Sequence, residues 1–398
     1  MTSPRGVLSE TCVFAHYYTW WNPADLGRTA LRPARGWYSN QFGEAAITVM
    51  REQMRQARKA GLTGFAVEWI GRRSAETGIV TNAFIPANNS LPKAERVQYC
   101  LVLDSVIWAM QRHLIKAWYE PIPLSGEHVP DYAEDIAFAA RSLAQIDSHF
   151  REQYLHIEGR PVVYIYSAHS LGADWRDALE LGRQLAGDPL FIIGDFEFCD
   201  PLFGRYEDTY RQKATAYDAV TNFSSLNGYP EYATSSIERF LAEGALDAGL
   251  KHGADLAGET RSGLCFPGVT TQYFKVVPGA SDAAGRDREL VSPRFITDGS
   301  VGYLPLAYAV PGESEAKLEQ RSRAVLSRLW RTVLATRPRY VFINSWNEPE
   351  EGTMIEPSAT PNPGGFIMGT AALETLRQAQ LEMTEPGNPR AAGDRNTP

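Results

Sequence analysis

The amino-acid sequence predicts a single (β/α)8 barrel, a TIM-type α/β fold with long loops after several strands. Eight short apolar runs recur along the chain, and helical segments separate several of them. The runs are apolar almost throughout rather than alternating, which is typical of parallel strands buried on both faces. Several runs end in an acidic or aromatic side chain, as expected at the active face of such a barrel. We assign residues 1–383 to this domain and 384–398 to a disordered tail.

The predicted strands and helices follow one another in order. The strands span residues 12–20, 64–70, 115–122, 161–168, 189–198, 217–225, 263–274 and 339–346. Helical spacing of apolar residues predicts helices over residues 44–61, 94–113, 174–188 and 314–338. Three long connections, residues 22–43, 71–93 and 275–313, are rich in Gly, Pro and Asn. Loops of that length in a compact domain are usually binding walls or lids.

Composition and charge exclude several classes of function. The 398 residues carry a net charge of −8 with scattered Lys and Arg, which disfavours a nucleic-acid or anionic-membrane partner. The sequence contains no run of about 18 apolar residues, which is the length needed to cross a membrane. The four cysteines are far apart and form no Cys-x-x-Cys pair, so neither a disulfide framework nor a zinc site is expected. The first residues lack the apolar run of a signal peptide, which favours a cytoplasmic location.

Acidic residues near the ends of predicted strands indicate the chemistry. Glu68, Glu120, Asp195, Glu197 and Glu348 lie there, and buried acids are costly unless they are paired or used. We find no spacing of metal ligands, no Gly-x-Ser-x-Gly nucleophile and no phosphate-binding loop, so no metal or cofactor is expected. Paired carboxylates beside many aromatic rings favour a glycosidase over a sugar-binding barrel.

Structural roles for the same residues remain open at this point. Glu68, Glu120 and Glu197 could each equally be a buried salt-bridge partner that holds the barrel together. His16 is expected to be a hydrogen-bonded structural histidine rather than a catalyst. Tyr17 and Tyr18 cannot both point inward on a regular strand, so one of them is expected to pack outward.

The segment from Arg339 to Ser358 holds four carboxylates in nine residues and carries a family resemblance. Its sequence "INSWNEPEEGTMIEPS" resembles the Ser-(Phe/Trp/Tyr)-Asn-Glu-Trp-His-Glu-Gly-Thr-Gln-Ile-Glu-Pro signature of glycoside hydrolase family 99, which contains endo-α-mannosidases and endo-α-mannanases. Weaker similarities are "VFAHYYTWW" to Phe-Tyr-Tyr-Pro-Trp-Tyr and "AGLTGFAVEWIG" to Ala-Gly-Ile-Asp-Gly-Phe-Val-Val-Ser-Trp-Tyr-Gly. "AWYEPI" and "GRPVVYIY" are similar to two further strands of the family.

The resemblance implies a retaining mechanism with two acids three positions apart, Glu348 and Glu351. The first would deprotonate the sugar 2-hydroxyl, which attacks C1 of the same ring. The second would protonate the leaving oxygen and later deprotonate the water that opens the 1,2-anhydro sugar. Family positions that line the sugar site fall on Trp69, Glu120 and on Tyr17 or Tyr18. Strand-end residues complete the expected carbohydrate-binding set, namely Trp20, Glu68, Tyr166, Glu197, Asn222 and Asn347.

The chain departs from the family signature around the two acids. Pro349 and Glu350 replace the Trp-His pair, Met354 replaces Gln, and "PGVTTQYF" replaces a Pro-Gly-Tyr-Asp-Asp stretch. We expect an endo-acting α-mannosidase, with Glu350 a solvated charge and Glu356 a structural carboxylate. Two alternatives stay open. The first is a glycosidase that acts on another glycan, either by classical double displacement with Glu68, Glu120 or Glu197 as nucleophile or with inversion. The second is a non-catalytic glycan-binding or biosynthetic accessory barrel.

Overall fold

Eight parallel strands form a barrel, as the sequence predicts. The computed structural model describes residues 11–20, 43–116, 120–187, 189–199, 203–223, 236–271, 273–274, 303–304, 306–307, 310–348, 353–357 and 370–384. Strands 1 to 8 are Cys12–Tyr17, Gly64–Trp69, Gln98–Asp104, Arg160–Tyr166, Phe191–Asp195, Ala219–Thr221, the pair Leu264–Phe266 and Gly268–Thr270, and Tyr340–Asn344. Each strand pairs with the next along the chain, and strand 8 pairs with strand 1.

Strand 7 closes the barrel in two halves that meet at Pro267. The first half pairs with strand 6, and the second half pairs with strand 8, where Phe342 aligns with Gly268. Proline has no N–H to donate, so the ladder is interrupted at this position. Its carbonyl still accepts a hydrogen bond from Phe342 N at 3.0 Å, which continues the seam to strand 8.

Helices follow the strands and cover the outside of the barrel. Strand 1 is followed by Gly43–Lys59, and strand 2 by Ala75–Ile79, Val80–Phe84, Ile85–Asn89 and Lys93–Glu95. Strand 3 is followed by Ser105–Gln111, His128–Phe138, Ala139–Leu143, Ala144–Ile146 and Phe150–Gln153, and strand 4 by Ala168–Ser170 and Trp175–Ala186. Strand 5 is followed by Phe203–Ala214, strand 6 by Ile237–Ala242 and Ala245–Ala257, strand 7 by Glu315–Ala335, and strand 8 by Ala371–Thr384. Short antiparallel strands pair His156–Ile157 with strand 4 and Tyr273–Phe274 with Tyr303–Leu304.

Three predicted segments are wrong. The third strand is Gln98–Asp104 rather than residues 115–122, so the predicted helix over 94–113 is a strand followed by the helix Ser105–Gln111. Asp104 ends this strand and caps the helix, because its side chain accepts a hydrogen bond from Ile107 N at 2.8 Å. The predicted loop 71–93 is largely helical. The predicted loops 22–43 and 275–313 and the tail after residue 384 fall mostly outside the described residues.

Aromatic rings fill the interior of the barrel. The ring centroid of Phe342 lies 5.8 Å from that of Phe14 and 5.4 Å from that of Tyr164. The ring centroids of Phe266 and Tyr340 are 5.1 Å apart. The centre is therefore a packed core rather than a pore. Within the part of the chain that the structure describes, no helix combines the length and the apolarity needed to cross a bilayer.

Candidate active site

Buried carboxyl groups gather at the C-terminal ends of four strands. Glu68 and Asp104 lie on strands 2 and 3, Asp195 ends strand 5, and Glu348 follows strand 8. The register aligns Glu68 with Val102, and Val102 with Tyr164, so these side chains share the inner face of the barrel. Each carboxyl group is at most 5% exposed. Carboxyl groups removed from water in this way must share protons or accept hydrogen bonds.

Glu68 is paired with His16 from the neighbouring strand. The distance from His16 Nδ1 to Glu68 Oε1 is 2.6 Å, and both side chains are buried. Burial lowers the pKa of His16 to about 3, and the charge of Asp195 opposes this only in part. Burial, assisted by the charge of Asp195, raises the pKa of Glu68 well above its usual range. We infer that Glu68 keeps its proton and donates it in a hydrogen bond to a neutral imidazole. His16 thus has the structural role that its sequence context predicts.

Asp195 anchors the loops that follow three strands. Its carboxylate accepts hydrogen bonds from the main-chain N–H groups of Ser167, Glu197 and Phe223 at 3.1, 3.3 and 2.8 Å. Burial and then the charge of Glu197 raise its pKa to about 6, although His169 and the hydrogen bonds from Phe223 N and Ser167 N act in the opposite direction. Asp195 therefore fixes the shape of the mouth between strands 4 and 6.

Asp104 is a site residue that sequence reasoning missed. Burial and the nearby Glu68 raise its pKa to about 7. The signal was present in "QYCLVLDS", a run of Val and Leu that ends in an acid and a serine, but helical spacing further along masked it. Glu120, which was predicted to end the third strand, instead lies exposed in a loop, where its carboxylate accepts a hydrogen bond from Lys116 N at 2.8 Å.

Main-chain pairing behind Glu348 holds it at the end of strand 8. Trp346 N donates to His16 O at 2.8 Å, and Ser345 Oγ accepts a hydrogen bond from Glu348 N at 3.0 Å. Further along, Ile355 N donates to Ser345 O, and Glu356 N donates to Trp346 O. The loop is thus folded back on its own start. Pro349, Glu350 and Glu351 lie outside the described residues.

Asn347 joins Glu348 to the first strand. Its Oδ1 accepts a hydrogen bond from Tyr18 N at 2.8 Å, and its Nδ2 donates to Tyr18 O at 2.9 Å. Asn222 makes the same pair of bonds to Gly268, at 2.9 Å to the N–H and 3.0 Å to the carbonyl. A Cβ atom at Gly268 would lie 1.5 Å from Asn222 O, which explains the glycine. Both amides therefore fasten the main chain, whereas substrate contacts were predicted for them.

Four aromatic side chains from the ends of strands 1, 4 and 6 form a cluster at the mouth. Tyr18 packs edge-on against Trp20 with ring centroids 4.9 Å apart, and Tyr166 packs against Phe223 at 4.6 Å. Tyr18 and Phe223 form the buried centre of this cluster. Three of these residues were predicted from the sequence as sugar contacts, and the structure brings them together with Phe223, which was not.

Two predicted aromatic contacts point away from the mouth. Trp69 lies on the outer face of strand 2, where it stacks on Phe138 and its Nε1 donates to Thr77 Oγ1 at 2.7 Å. Tyr17 also faces the helices, since its hydroxyl donates to Gln53 Oε1 at 2.6 Å. Gln53 in turn donates to Glu356 Oε1 at 2.9 Å. The alternation of strand side chains accounts for both positions, and Glu356 has the structural role expected for it.

One group of described residues could hold a metal ion, although no spacing in the sequence indicates it. His169, Asp195 and Glu197 each bring one ligand atom within 4.8 Å of the others. The Nε2 atom of His169 lies 3.7 Å from Glu197 Oε2, while its Nδ1 faces Asp195 O at 3.3 Å. The group fits a cation only in part, because the Asp195 carboxylate already accepts three main-chain hydrogen bonds.

The buried acids make stability depend on pH, and the expected sign follows from their pKa values. Unfolded carboxyl groups ionise near pH 4, whereas Glu68, Asp104 and Asp195 keep their protons to a higher pH in the folded chain. Their contribution is full below pH 4. That of Asp195 and of Asp104 is lost as the pH rises through about 6 and about 7, and that of Glu68 is fully lost only well above the usual range of a glutamate. His16 acts oppositely, because its folded pKa is lowered and its contribution is lost as the pH falls below about 6.5.

We therefore expect the free energy of unfolding to be larger near pH 5 than near pH 7.5, since three acids outweigh one imidazole. Urea denaturation at both pH values measures this difference. The variant Asp104→Asn keeps an acceptor for Ile107 N but cannot ionise, so its difference is expected to be smaller. An identical pH dependence in the variant and the wild type would contradict the assignment of Asp104.

Sequence comparisons find similarity to an uncharacterized protein. No family model matches the chain. The uncharacterized protein WxcX of Xanthomonas campestris pv. campestris is 25% identical over 372 residues, which cover 90% of this chain. The chain spans 43% of the length of that relative. The same protein from strain B100 is similar to the same extent.

Two solved structures are similar over nearly the whole chain. A glycoside hydrolase-like protein has a TM-score of 0.61 at 18% identity, covering 95% of this chain and 96% of its own. The GH99 endo-α-mannosidase from Bacteroides thetaiotaomicron, in complex with BIS-TRIS-propane, has a TM-score of 0.58 at 15% identity, covering 93% and 98%. The resemblance that the sequence indicates is therefore confirmed at the level of the fold. This chain has the (β/α)8 barrel fold of the family 99 endo-α-mannosidase.

Proposed function

We propose that this chain is a retaining, endo-acting glycoside hydrolase that cleaves α-mannosidic bonds of an oligo- or polysaccharide. The observation that carries the proposal is the placement of Glu348. It is buried at the end of strand 8, and the residue before it, Asn347, binds the main chain of Tyr18 directly after strand 1, in a fold shared with an endo-α-mannosidase. Its sequence position matches the first acid of the family signature.

The aromatic cluster and Asp104 supply the sugar contacts in this proposal. Tyr18, Trp20 and Tyr166 offer flat surfaces for a sugar ring, with Phe223 packed behind them. Asp104 aligns with Tyr166 across strands 3 and 4, so its carboxyl group lies at the same level of the mouth. We assign it the hydrogen bonds to sugar hydroxyl groups that the sequence had suggested for Glu120. The buried Glu68–His16 pair lies one layer of side chains below Asp104, because Glu68 aligns with Val102, and it supports Asp104 from inside the barrel.

The proposed reaction has two steps. The Glu348 carboxylate takes the proton of the 2-hydroxyl group, and O2 forms a bond to C1 as the C1–O bond to the leaving group breaks. Glu351 gives its proton to the leaving oxygen. In the second step Glu351 deprotonates a water molecule that attacks C1, the C1–O2 bond breaks, and O2 regains its proton from Glu348. Two inversions at C1 give net retention, and attack within one ring benefits from proximity.

A fluorinated probe separates this mechanism from a classical double displacement. A 2-deoxy-2-fluoro α-mannosyl fluoride lacks the attacking hydroxyl group, so no glycosyl-enzyme is expected by intact-protein mass spectrometry. An unmodified α-mannosyl fluoride is expected to release fluoride under the same conditions. A stable adduct mapped to Glu68, Asp104 or Glu197 would contradict the proposal and favour a carboxylate nucleophile.

Binding measurements separate the enzyme from a non-catalytic glycan-binding barrel. If α-mannooligosaccharides bind but are not cleaved, the barrel is an accessory module rather than a hydrolase. If Glu351→Gln binds an α-mannooligosaccharide as tightly as the wild type but loses cleavage, the acid has the catalytic role proposed for it. Affinity is measured by isothermal titration calorimetry and cleavage by product analysis, both on the same protein samples.

A further inference from the structure

A connected run of side chains leads from the mouth of the barrel to the surface beside strands 4 and 5. It begins at Glu197, which follows strand 5, and continues to His169 in the turn after strand 4. Tyr210 packs against His169 with ring centroids 5.6 Å apart. Tyr206 stacks on Tyr210 at 5.9 Å with an angle of 23° between the rings. The run therefore connects the site to an exposed aromatic ring.

Tyr206 differs from the other exposed hydrophobic side chains of the described residues. It is 49% exposed, and the remaining large ones, Ile146, Val310 and Leu381, are aliphatic. It also lies in the first turn of the helix Phe203–Ala214, which follows strand 5 and so starts at the active face. A half-exposed ring at this position is available to a ligand.

The polar part of the run is held in place from outside. Lys213 Nζ donates hydrogen bonds to the carbonyl groups of His169 and Leu171, each at 2.5 Å. The other end is fixed by Asp195, which accepts a hydrogen bond from Glu197 N at 3.3 Å. His169 and Glu197 are mostly buried, but each side chain retains some exposure, at 15% and 17%. They are thus preorganised yet reachable from the mouth.

We propose that Glu197, His169 and Tyr206 form an outer sugar subsite. The ring of Tyr206 would stack on the apolar face of a sugar, while the imidazole and the carboxylate would bind its hydroxyl groups. The proposal rests on the proposed function and deepens it, because a subsite away from Glu348 makes a chain of several sugars the preferred substrate. It also gives Glu197 the binding role that the sequence suggests.

The test compares substrates of different length. We expect Tyr206→Ala to lower kcat/KM for α-mannohexaose about three- to tenfold, the range for one lost aromatic contact. Its kcat/KM for an aryl α-mannobioside, which has only two sugar rings to bind, is expected to stay at the wild-type value. Tyr206→Phe keeps the ring and is expected to match the wild type. Leu381→Ala removes another exposed side chain and serves as the control for surface effects.

Each outcome decides between the two proposals. If the wild type cleaves both substrates and Tyr206→Ala equals it at both lengths, the subsite is wrong and the proposed function stands. If the wild type cleaves neither, the proposed function is wrong, and the subsite is judged by isothermal titration with α-mannohexaose. Weaker binding by Tyr206→Ala then supports the subsite, whereas equal or absent binding overturns it. The subsite would also be overturned by a pair of results: the wild type binds Mn²⁺ and His169→Ala does not, while Tyr206→Ala binds the glycan as tightly as the wild type.

Discussion

Replacing Glu348 with glutamine is expected to lower kcat on an α-mannooligosaccharide by about a thousandfold or more. A positioned general base contributes roughly 10²- to 10⁴-fold to a rate, and a neutral amide cannot take the 2-hydroxyl proton. Glutamine has nearly the same shape, and the hydrogen bond from the main-chain N–H of residue 348 to Ser345 Oγ does not involve the side chain. We therefore expect circular dichroism and the urea midpoint to stay close to those of the wild type.

Glu356→Gln is the matched control for this experiment. Glu356 belongs to the same loop and is also buried, but its carboxylate accepts a hydrogen bond from Gln53 in the helix Gly43–Lys59. Glutamine can still accept that bond through its carbonyl oxygen, so activity is expected to remain within about fivefold of the wild type. Comparable losses in Glu348→Gln and Glu356→Gln would mean that the loop tolerates no amide, and the catalytic assignment would then lose its support.

The variant Asn347→Ala is expected to lose both stability and activity. It removes two hydrogen bonds and leaves the buried N–H and C=O groups of Tyr18 without the amide that binds them. At about 1–3 kcal/mol for each of the two unsatisfied buried groups, we expect a loss of roughly 2–6 kcal/mol in the free energy of unfolding. The aromatic Tyr18 and the acid Glu348 would both shift, so kcat is expected to fall in the fraction that remains folded.

Asn222→Ala offers a comparison with the same chemistry at a different seam. Its amide binds the N–H and C=O groups of Gly268, and it is equally buried. A similar loss of stability is expected, but Glu348 is anchored elsewhere, so the decrease in kcat should be much smaller. Urea denaturation and active-site-normalised rates measure the two effects. If both variants lose kcat equally, Asn347 has no special role in positioning Glu348.

The barrel could be predicted because the apolar runs that mark its strands are local patterns in the sequence. Seven of the eight predicted strands overlap the observed ones, and helices such as Gly43–Lys59 and Glu315–Ala335 appear where apolar spacing places them. The third strand failed for a physical reason. Residues 98–104 are followed at once by a helix, so the combined window has helical spacing, and periodicity cannot distinguish a short buried strand from a helix.

Contacts between distant residues could not be predicted from one sequence. The pairing of His16 with Glu68 joins residues 52 positions apart and depends on the register of strands 1 and 2. The outward position of Trp69 follows from the phase of strand 2, which fixes Glu68 inside and its neighbour outside. The two asparagine amides were expected to contact substrate, because nothing in the sequence indicates that they replace main-chain hydrogen bonds at strand ends.

The central claim is that this barrel hydrolyses α-mannosides with retention, and proton NMR of the first product tests it most directly. The wild-type chain is mixed with an α-mannooligosaccharide, and the anomeric signals of the new reducing end are followed from the first minutes. The proposal predicts that the α-anomer appears first and that the β-anomer grows later by mutarotation. Release of the β-anomer first would contradict the two-step mechanism, and no release from any α-mannoside would contradict the function itself.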